Sequence, residues 1–458
     1  MIAHFVDLLE DWCKDTEKYL DDNAGRQWET QDAGPGTELE YWRRRMQRLT
    51  SITEQLKTKE CKTVIGVLSA VTKANNAEMR VDRQRLFGLL RRWRQIDINI
   101  TEAANEAKDN VKYLQTLEKF IDPLYNGAPQ TVVDALPALL NSIKMIHTIA
   151  RYYNTTERMT GLFMKITNQM ITNCKRHITN EGEIISEKLW DCDPELMLEK
   201  LESCLHLNEA YQEQYRITKD KLLTMPKGKQ FDFSETQMFS KFDLFCRRVI
   251  KLIDMFSTIH QFKSLGSHRL EGMEGLISTF HGIIDDFKSK RHDLLDYHNN
   301  KFDRDYVEFN VHISDLEGSL QQFINQSFEN ITSIEQSLAL LKQFQTILQR
   351  ESLKNDLDGK FTVIFHNYGL DLTTVQEIYE KYKHNPPIPR NMPPVAGNIM
   401  WSRHLLKRIE EPMRRFESNP TVLATKDSRK IIKTYNKVAR TLVAFEYLWY
   451  EAWCRSVE

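Results

Sequence analysis

At 458 residues the chain is long enough for two to four domains at about 100–200 residues each, so one large core is not expected. Lys and Arg total 63 against 64 Asp and Glu, and a formal net charge of −1 offers no field that would gather nucleic acid or anionic lipid, which leaves proteins as the expected partners. Gly, at 17, and Pro, at 13, are scarce beside 41% hydrophobic and 28% charged residues, a balance that favours long helices and disfavours an all-β fold.

Met1 to Leu20 carries Phe5, Leu8, Leu9 and Trp12, but Asp7, Glu10 and Asp11 break any signal-peptide core, so an amphipathic helix is predicted there. No stretch approaches the ~18 uncharged apolar residues of a membrane span, and a soluble chain is expected. The cysteines (Cys13, Cys61, Cys174, Cys192, Cys204, Cys246, Cys454) are scattered without the density of a secreted disulfide framework, which points to a reducing, intracellular compartment. Sequons such as Asn154-Thr155-Thr156 then carry no weight.

After Gly34-Pro35-Gly36, the residues Leu39, Trp42, Met46, Leu49, Thr53 and Leu56 recur at alternating spacings of three and four, which places them along one helix face. The helix bearing Val111, Leu114, Leu117 and Ile121 is predicted to end at Asp122-Pro123 and the run Asn126-Gly127-Ala128-Pro129, with a hairpin to the next helix. Asp193-Pro194-Glu195 reads as cap, first turn and acidic helix start, followed by Leu198, Leu201 and Leu205 on one face. Two further seams follow: Phe239, Phe242, Cys246, Val249, Ile253, Phe256, His260, with Ser234 as N-cap, and Phe302, Tyr306, Phe309, Ile313, Leu316, Leu320, Phe323. A new register begins near Ser327 with Ile331, Ile334, Leu338 and Leu341. Beyond the proline-rich run from Asn385 to Pro394 come two helices, one with Trp401, Leu405 and Ile409 up to Pro412, the other with Ile431, Tyr435, Val438, Leu442, Phe445 and Trp449.

Seams at this period suit either a free-standing coiled coil or helices inside a bundle. Their crowding with Phe, Tyr and Trp, and the register change, favour bundles. The expected fold is therefore all-α, with serial antiparallel helical bundles, long helices and an elongated arrangement. Breaks at Met225-Pro226-Lys227-Gly228-Lys229 and at the proline-rich run divide the chain into N-terminal helical bundles over 1–225, a long-helix bundle over 226–385, and a proline-rich joint with the start of the next bundle over 386–458.

Signs of chemistry are sparse. Pro226-Lys227-Gly228-Lys229 lacks the second glycine, the Ser/Thr and the preceding strand of a phosphate loop and reads as a linker. Cys192, Cys204 and His206 are the nearest approach to a metal set, but Cys204 and His206 point different ways on one helix and Cys192 precedes it, so packing is the better reading. Arg43-Arg44-Arg45 and Arg91-Arg92-Trp93-Arg94 pair arginine with tryptophan, as a surface that stacks bases does, yet Trp42 and Trp93 fall on apolar seams. Those arginines are expected to be solvated or to meet carboxylates on a neighbouring helix. No catalytic residue is predicted.

Two stretches are more specific: Gly34-Pro35-Gly36-Thr37-Glu38-Leu39-Glu40-Tyr41-Trp42-Arg43, and the run from Pro386 through Pro393-Pro394-Val395-Ala396-Gly397-Asn398-Ile399-Met400-Trp401 to Arg403. Both resemble the N-terminal tail of dynein heavy chains, and the intervening helices resemble the axonemal, outer-arm branch. The resemblance covers nearly the whole chain and marks Gly34, Pro35, Glu38, Trp42, Pro393, Pro394, Gly397 and Trp401 as signature structural residues. It implies a non-catalytic tail segment, without cofactor or metal, of a motor whose ATPase ring and microtubule-binding stalk lie far beyond Glu458. It further implies docking of intermediate chains, light chains, neighbouring heavy chains and docking proteins on the doublet microtubule, within the cytoskeleton of a ciliary or flagellar axoneme. Family members carry a further region ahead of the equivalent of Phe5 to Trp12, so Met1 is expected to be an internal methionine, with the far N-terminal self-association region lying outside this segment. A helical adaptor or tether unrelated to motors is the alternative, and an enzyme with an unrecognised site stands behind both.

Overall fold

The computed structural model describes residues 2–20, 33–73, 83–223, 230–267, 272–329, 351–417 and 426–457, with positions 336 and 340, and the side chains of 264–267, 329, 351–362 and 426 are not described. The fold is all-α, and no strand occurs among the described residues. In chain order the helices are α1 (Ile2–Leu20), α2 (Pro35–Leu56), α3 (Lys59–Lys73), α4 (Arg83–Leu114), α5 (Glu118–Asn126), α6 (Pro129–Ile149), α7 (Thr156–Ile178), α8 (Pro194–Leu223), α9 (Glu235–Ser267), α10 (Glu274–Ser289), α11 (Asn300–Glu329), α12 (Glu351–Tyr382), α13 (Pro394–Glu417) and α14 (Lys426–Val457). The break at Met225–Lys229 and the register beginning at Ile331, Ile334, Leu338 and Leu341 lie outside the described residues. Two compact units emerge, one of residues 1–257 with 292–300 and one of 258–291 with 301–458, the change falling within α9.

In the first unit the seams become interior as their spacing requires: Leu39, Trp42, Leu49, Phe239, Phe242, Val249 and Phe256 are buried. His260, assigned to the same seam as Phe256, is exposed. One core joins Val6, Leu9 and Cys13 of α1 to Leu86, Leu89, Leu90 and Trp93 of α4, with Trp12 and Trp93 6.0 Å apart. Arg85 Nη2 donates to Glu10 Oε1 at 2.7 Å and Arg92 Nε to Glu17 Oε1 at 2.9 Å. Both pairs advance by seven residues in the same sense, so α1 and α4 run parallel, unlike the antiparallel neighbours expected throughout. These guanidinium groups hold both carboxyls below the usual carboxylate range.

Helix α6 departs from the sequence expectation, because Pro129–Ile149 is long and apolar enough, by length and composition, to cross a membrane. Its apolar stripe of Val132, Leu136, Leu139, Leu140, Ile143 and Ile146 is buried in the first unit, as in a core helix.

In the second unit Phe287 of α10 meets Phe302 and Phe309 of α11 edge to face at 5.7 and 5.8 Å. Helices α12, α13 and α14 form a three-helix bundle around Tyr368, Leu372, Ile409, Met413, Phe416, Val438 and Leu442. Phe365 meets Phe416 while Tyr379 meets Trp401, so α12 and α13 are antiparallel. Helix α14 returns along α12, with Ile431 against Gly369 and Phe445 against Tyr379.

Two prolines do not stop their helices: the predicted end at Pro412 is corrected, and of the predicted stretch from Asp122 to Pro129 it is Asn126-Gly127, not Pro123, that closes α5. α5 continues through Pro123 to Asn126, and α13 through Pro412 to Glu417. A short 3₁₀ turn, Gln115–Leu117, instead interrupts the long helix ahead of α5.

Candidate functional site

The first signature stretch opens α2. Gly34 is its N-cap residue and offers no side-chain cap, while Pro35 occupies the first turn, where its missing N–H costs nothing. Thr37 supplies a local tie through Oγ1 to the Gly34 carbonyl at 2.6 Å. The absence of a side chain serves close approach: a Cβ on Gly34 would stand 2.6 Å from both Gln169 Oε1 and the Tyr125 hydroxyl, and one on Gly36 2.9 Å from that hydroxyl. Gly36 N–H donates to Tyr125 Oη at 3.3 Å, and burial pushes this phenol upward in pKa.

One turn later Glu38 closes a latch. Its Oε1 accepts from Trp42 Nε1 at 3.1 Å and from Tyr153 Oη at 2.5 Å, and its Oε2 accepts from Lys165 Nζ at 2.6 Å. Trp42 Nε1 also donates to Tyr153 Oη at 2.8 Å. Burial first, and then the Glu38 charge, keeps the Tyr153 hydroxyl well above the ordinary phenol range, so it remains a donor. The Glu38 and Lys165 side chains are 4% and 13% exposed, so the pair is nearly dry and its hydrogen bonds decide its worth. Tyr152 meets the Trp42 ring edge-on at 4.5 Å, and the Arg158 guanidinium lies over the Tyr152 ring at 3.9 Å.

Helix α7 holds the next layer. Asn173 Nδ2 donates to the carbonyls of Leu124 and Gly127 at 3.0 and 2.9 Å, and Arg176 Nη1 to that of Tyr125 at 2.5 Å. These are carbonyls of the last turn of α5 and of its C-cap residue Gly127, so side chains from α7 cap a helix end that falls at Asn126, within the predicted stretch from Asp122 to Pro129 but past Pro123. Asn168 joins the start of α2 to α9, donating to Ala33 O at 3.3 Å and accepting from Lys241 Nζ at 3.3 Å. Tyr153, Lys165, Asn168, Asn173 and Arg176 were not singled out by sequence reading; the available signal was a run of buried amides on an otherwise apolar helix face.

The second stretch lies in the second unit. Pro394 opens α13, Gly397 N–H donates to the Pro393 carbonyl at 2.8 Å, and Asn398 Nδ2 to that of Pro394 at 2.7 Å. A Cβ on Gly397 would sit 2.3 Å from Ile388 Cγ2, so this glycine lets the proline-rich run lie on the helix. Trp401 stacks on Tyr379 at 6.2 Å and meets Phe445 edge-on at 5.6 Å. Gly397→Ala is expected to cost about 1–3 kcal/mol through overpacking. Thermal unfolding checks this, and Ile388→Ala in the same chain should restore most of the loss.

The other candidates resolve into packing. Cys204 is buried with its Sγ 4.0 Å from the Cys174 carbonyl, Cys192 is half-buried, and no group of three metal-ligating side chains gathers among the described residues. Arg43 donates to Glu118 at 3.0 Å, Arg44 pairs with Glu40, Arg92 pairs with Glu17, and Trp42 and Trp93 are buried. Pro226 to Lys229 lies outside the described residues.

Residues 2–458 match the family described as dynein heavy chain, N-terminal region 1. The chain belongs to the dynein heavy-chain family. It is 50% identical to the dynein gamma chain of the flagellar outer arm of Chlamydomonas reinhardtii, over 100% of this chain and 10% of that one. It is 40% identical to the mouse dynein axonemal heavy chain 5, over 98% of this chain and 9% of that one. The dynein beta chain of the Chlamydomonas flagellar outer arm is more distant, at 28% over 93% of this chain and 9% of that one. The chain thus spans about a tenth of the length of the curated relatives it matches. It is the heavy chain's N-terminal tail segment and not its motor domain, and the unrelated adaptor is not favoured.

Proposed function

We propose that this segment is a non-catalytic scaffold in the tail of an axonemal dynein heavy chain, docking intermediate chains, light chains and neighbouring heavy chains and anchoring the motor to the doublet microtubule. The observation that carries the reading is the Glu38 latch: the signature stretch puts its charged and aromatic groups into cross-ties between helices, not into an open site. Helices locked this way hold their outer faces in fixed relative positions, which a surface with several protein partners requires. The setting that goes with it is the cytoskeleton of a cilium or flagellum, and the ATP-driven motor activity belongs to regions of the heavy chain outside this segment. Deleting residues 2–458 from the heavy chain is expected to strip intermediate and light chains from the purified complex and to empty its docking positions on doublets. Wild-type stoichiometry after that deletion, read by quantitative mass spectrometry, would overturn the reading.

A further inference from the structure

Helices α1, α2 and α3 border a cavity of about 530 Å³ in the first unit. Trp12, Asp15, Thr16 and Tyr19 line it from α1, at a spacing that puts them on one helix face. Glu60 lines it from the first turn of α3, and Ile52 and Leu56 add apolar wall from the end of α2. The volume suits an organic group and is far larger than a metal ion needs.

The polar groups of this cavity are unengaged. Thr16 is 5% exposed, yet its hydroxyl makes no hydrogen bond among the described residues. Thr53 and Thr63, also within helices, turn theirs back to the carbonyl four residues earlier, each at 2.7 Å. A hydroxyl so buried and left without a protein partner is placed for a group that enters the cavity. Asp15 and Glu60 are exposed, form no ion pair, and are the only charged lining groups among the described residues. The Tyr19 ring is 48% exposed, while Trp12 is fixed against Trp93 at 6.0 Å.

We infer that this cavity receives an arginine side chain from a basic segment of a separate polypeptide. Two carboxylates without a counter-ion select a cation, and a planar guanidinium forks onto a carboxylate where an ammonium offers only a point charge. Indole and phenol rings attract a cation over their faces, more often a guanidinium than an ammonium. Ile52 and Leu56 suit the methylene stem of arginine, and the Thr16 hydroxyl can accept one of its remaining N–H groups. The arginines of this chain that reach α1 are occupied: Arg45 donates to the Leu20 carbonyl at 3.3 Å, Arg85 to Glu10, and Arg92 to Glu17. The cation therefore comes from outside the described fold. This inference goes beyond the scaffold reading and does not rest on it, since it concerns one pocket and not the subunits that the tail docks.

The test uses the full-length heavy chain in its assembled complex. p-Benzoylphenylalanine in place of Gln55, an exposed lining residue, is expected to crosslink to a separate polypeptide at a peptide that contains arginine. Asp15→Asn combined with Glu60→Gln is expected to lower that yield about fivefold, the scale of losing exposed ion pairs. Asp7→Asn, which removes an exposed carboxylate of α1 outside the cavity, should leave the yield unchanged. A competition that needs no further substitution guards against misfolding: excess acetyl-Gly-Arg-Gly-amide should suppress the crosslink, and the same peptide with norleucine in place of arginine should not. A crosslink confined to the heavy chain itself, or to a peptide without arginine, would overturn the inference. So would an undiminished yield in the double variant, an equal loss in Asp7→Asn, or equal suppression by the two peptides. Subunit stoichiometry is measured separately, so failure here leaves the scaffold reading standing, and the reverse also holds.

Discussion

Glu38→Ala is expected to destabilise the first unit by about 3–5 kcal/mol, the loss typical of breaking a buried ion pair by removing one partner. The carboxylate accepts from Trp42, Tyr153 and Lys165 at once, so its removal leaves two aromatic donors and an ammonium without the group that organises them. Glu40→Ala, two residues away, is the internal control. Glu40 pairs with Arg44 at the surface, with half of each side chain exposed, where a pair contributes about 0.2–1 kcal/mol. Because a chain of two compact units need not unfold in a single step, amide exchange in α2 and α7 is the appropriate readout. A Glu38→Ala loss within about 1 kcal/mol of the Glu40→Ala loss would show that the latch is not structural.

Phe309→Asp is expected to melt the α10–α11 pair at a cost of several kcal/mol, since it trades a buried ring for a carboxylate that must be desolvated or protonated. Phe309 is buried and packs edge to face on Phe287 at 5.8 Å. The cavity of about 350 Å³ beside it, lined by Lys290, Asp305, Glu308 and His312, is already acidic on balance, so it offers the new charge repulsion more than relief. Lys290 is engaged there by Glu308 at 2.9 Å, and that contact holds its ammonium above the ordinary lysine range. Phe309→Leu separates charge from volume and should cost about 1 kcal/mol. Unchanged exchange protection of α11 in Phe309→Asp would mean that this seam is not interior.

What was legible in the sequence was whatever a helix shows over a few turns. Phe242, Phe309 and Leu442 were assigned to seams by spacing alone, and all three are buried. Ser234 and Pro194 stand at the helix starts that their capping chemistry predicted. What was not legible depends on residues far apart in the chain. Proline raises the free energy of a helix locally, but side chains of α7 satisfy the end of α5, so Pro123 sits inside a helix that local rules would close. Pro412 likewise stays within α13, whose face packs Ile409, Met413 and Phe416 into the bundle. The parallel run of α1 and α4 needed the ion-pair register, which spacing within either helix cannot reveal. Gly34 and Trp42 carried a family signature, yet Tyr153 and Lys165 completed their site from positions with no motif around them.

The Glu38 latch also has a bearing on biosynthesis. Its lysine lies 127 positions after its carboxylate, so the amino-terminal half of the latch leaves the ribosome on the order of ten seconds before its counterpart is made. Through that interval the greasy side of α2 has no native cover against the helix that carries Lys165. A nascent heavy chain therefore presents chaperones with a client in which this knot cannot tighten until just over a third of the segment has been translated.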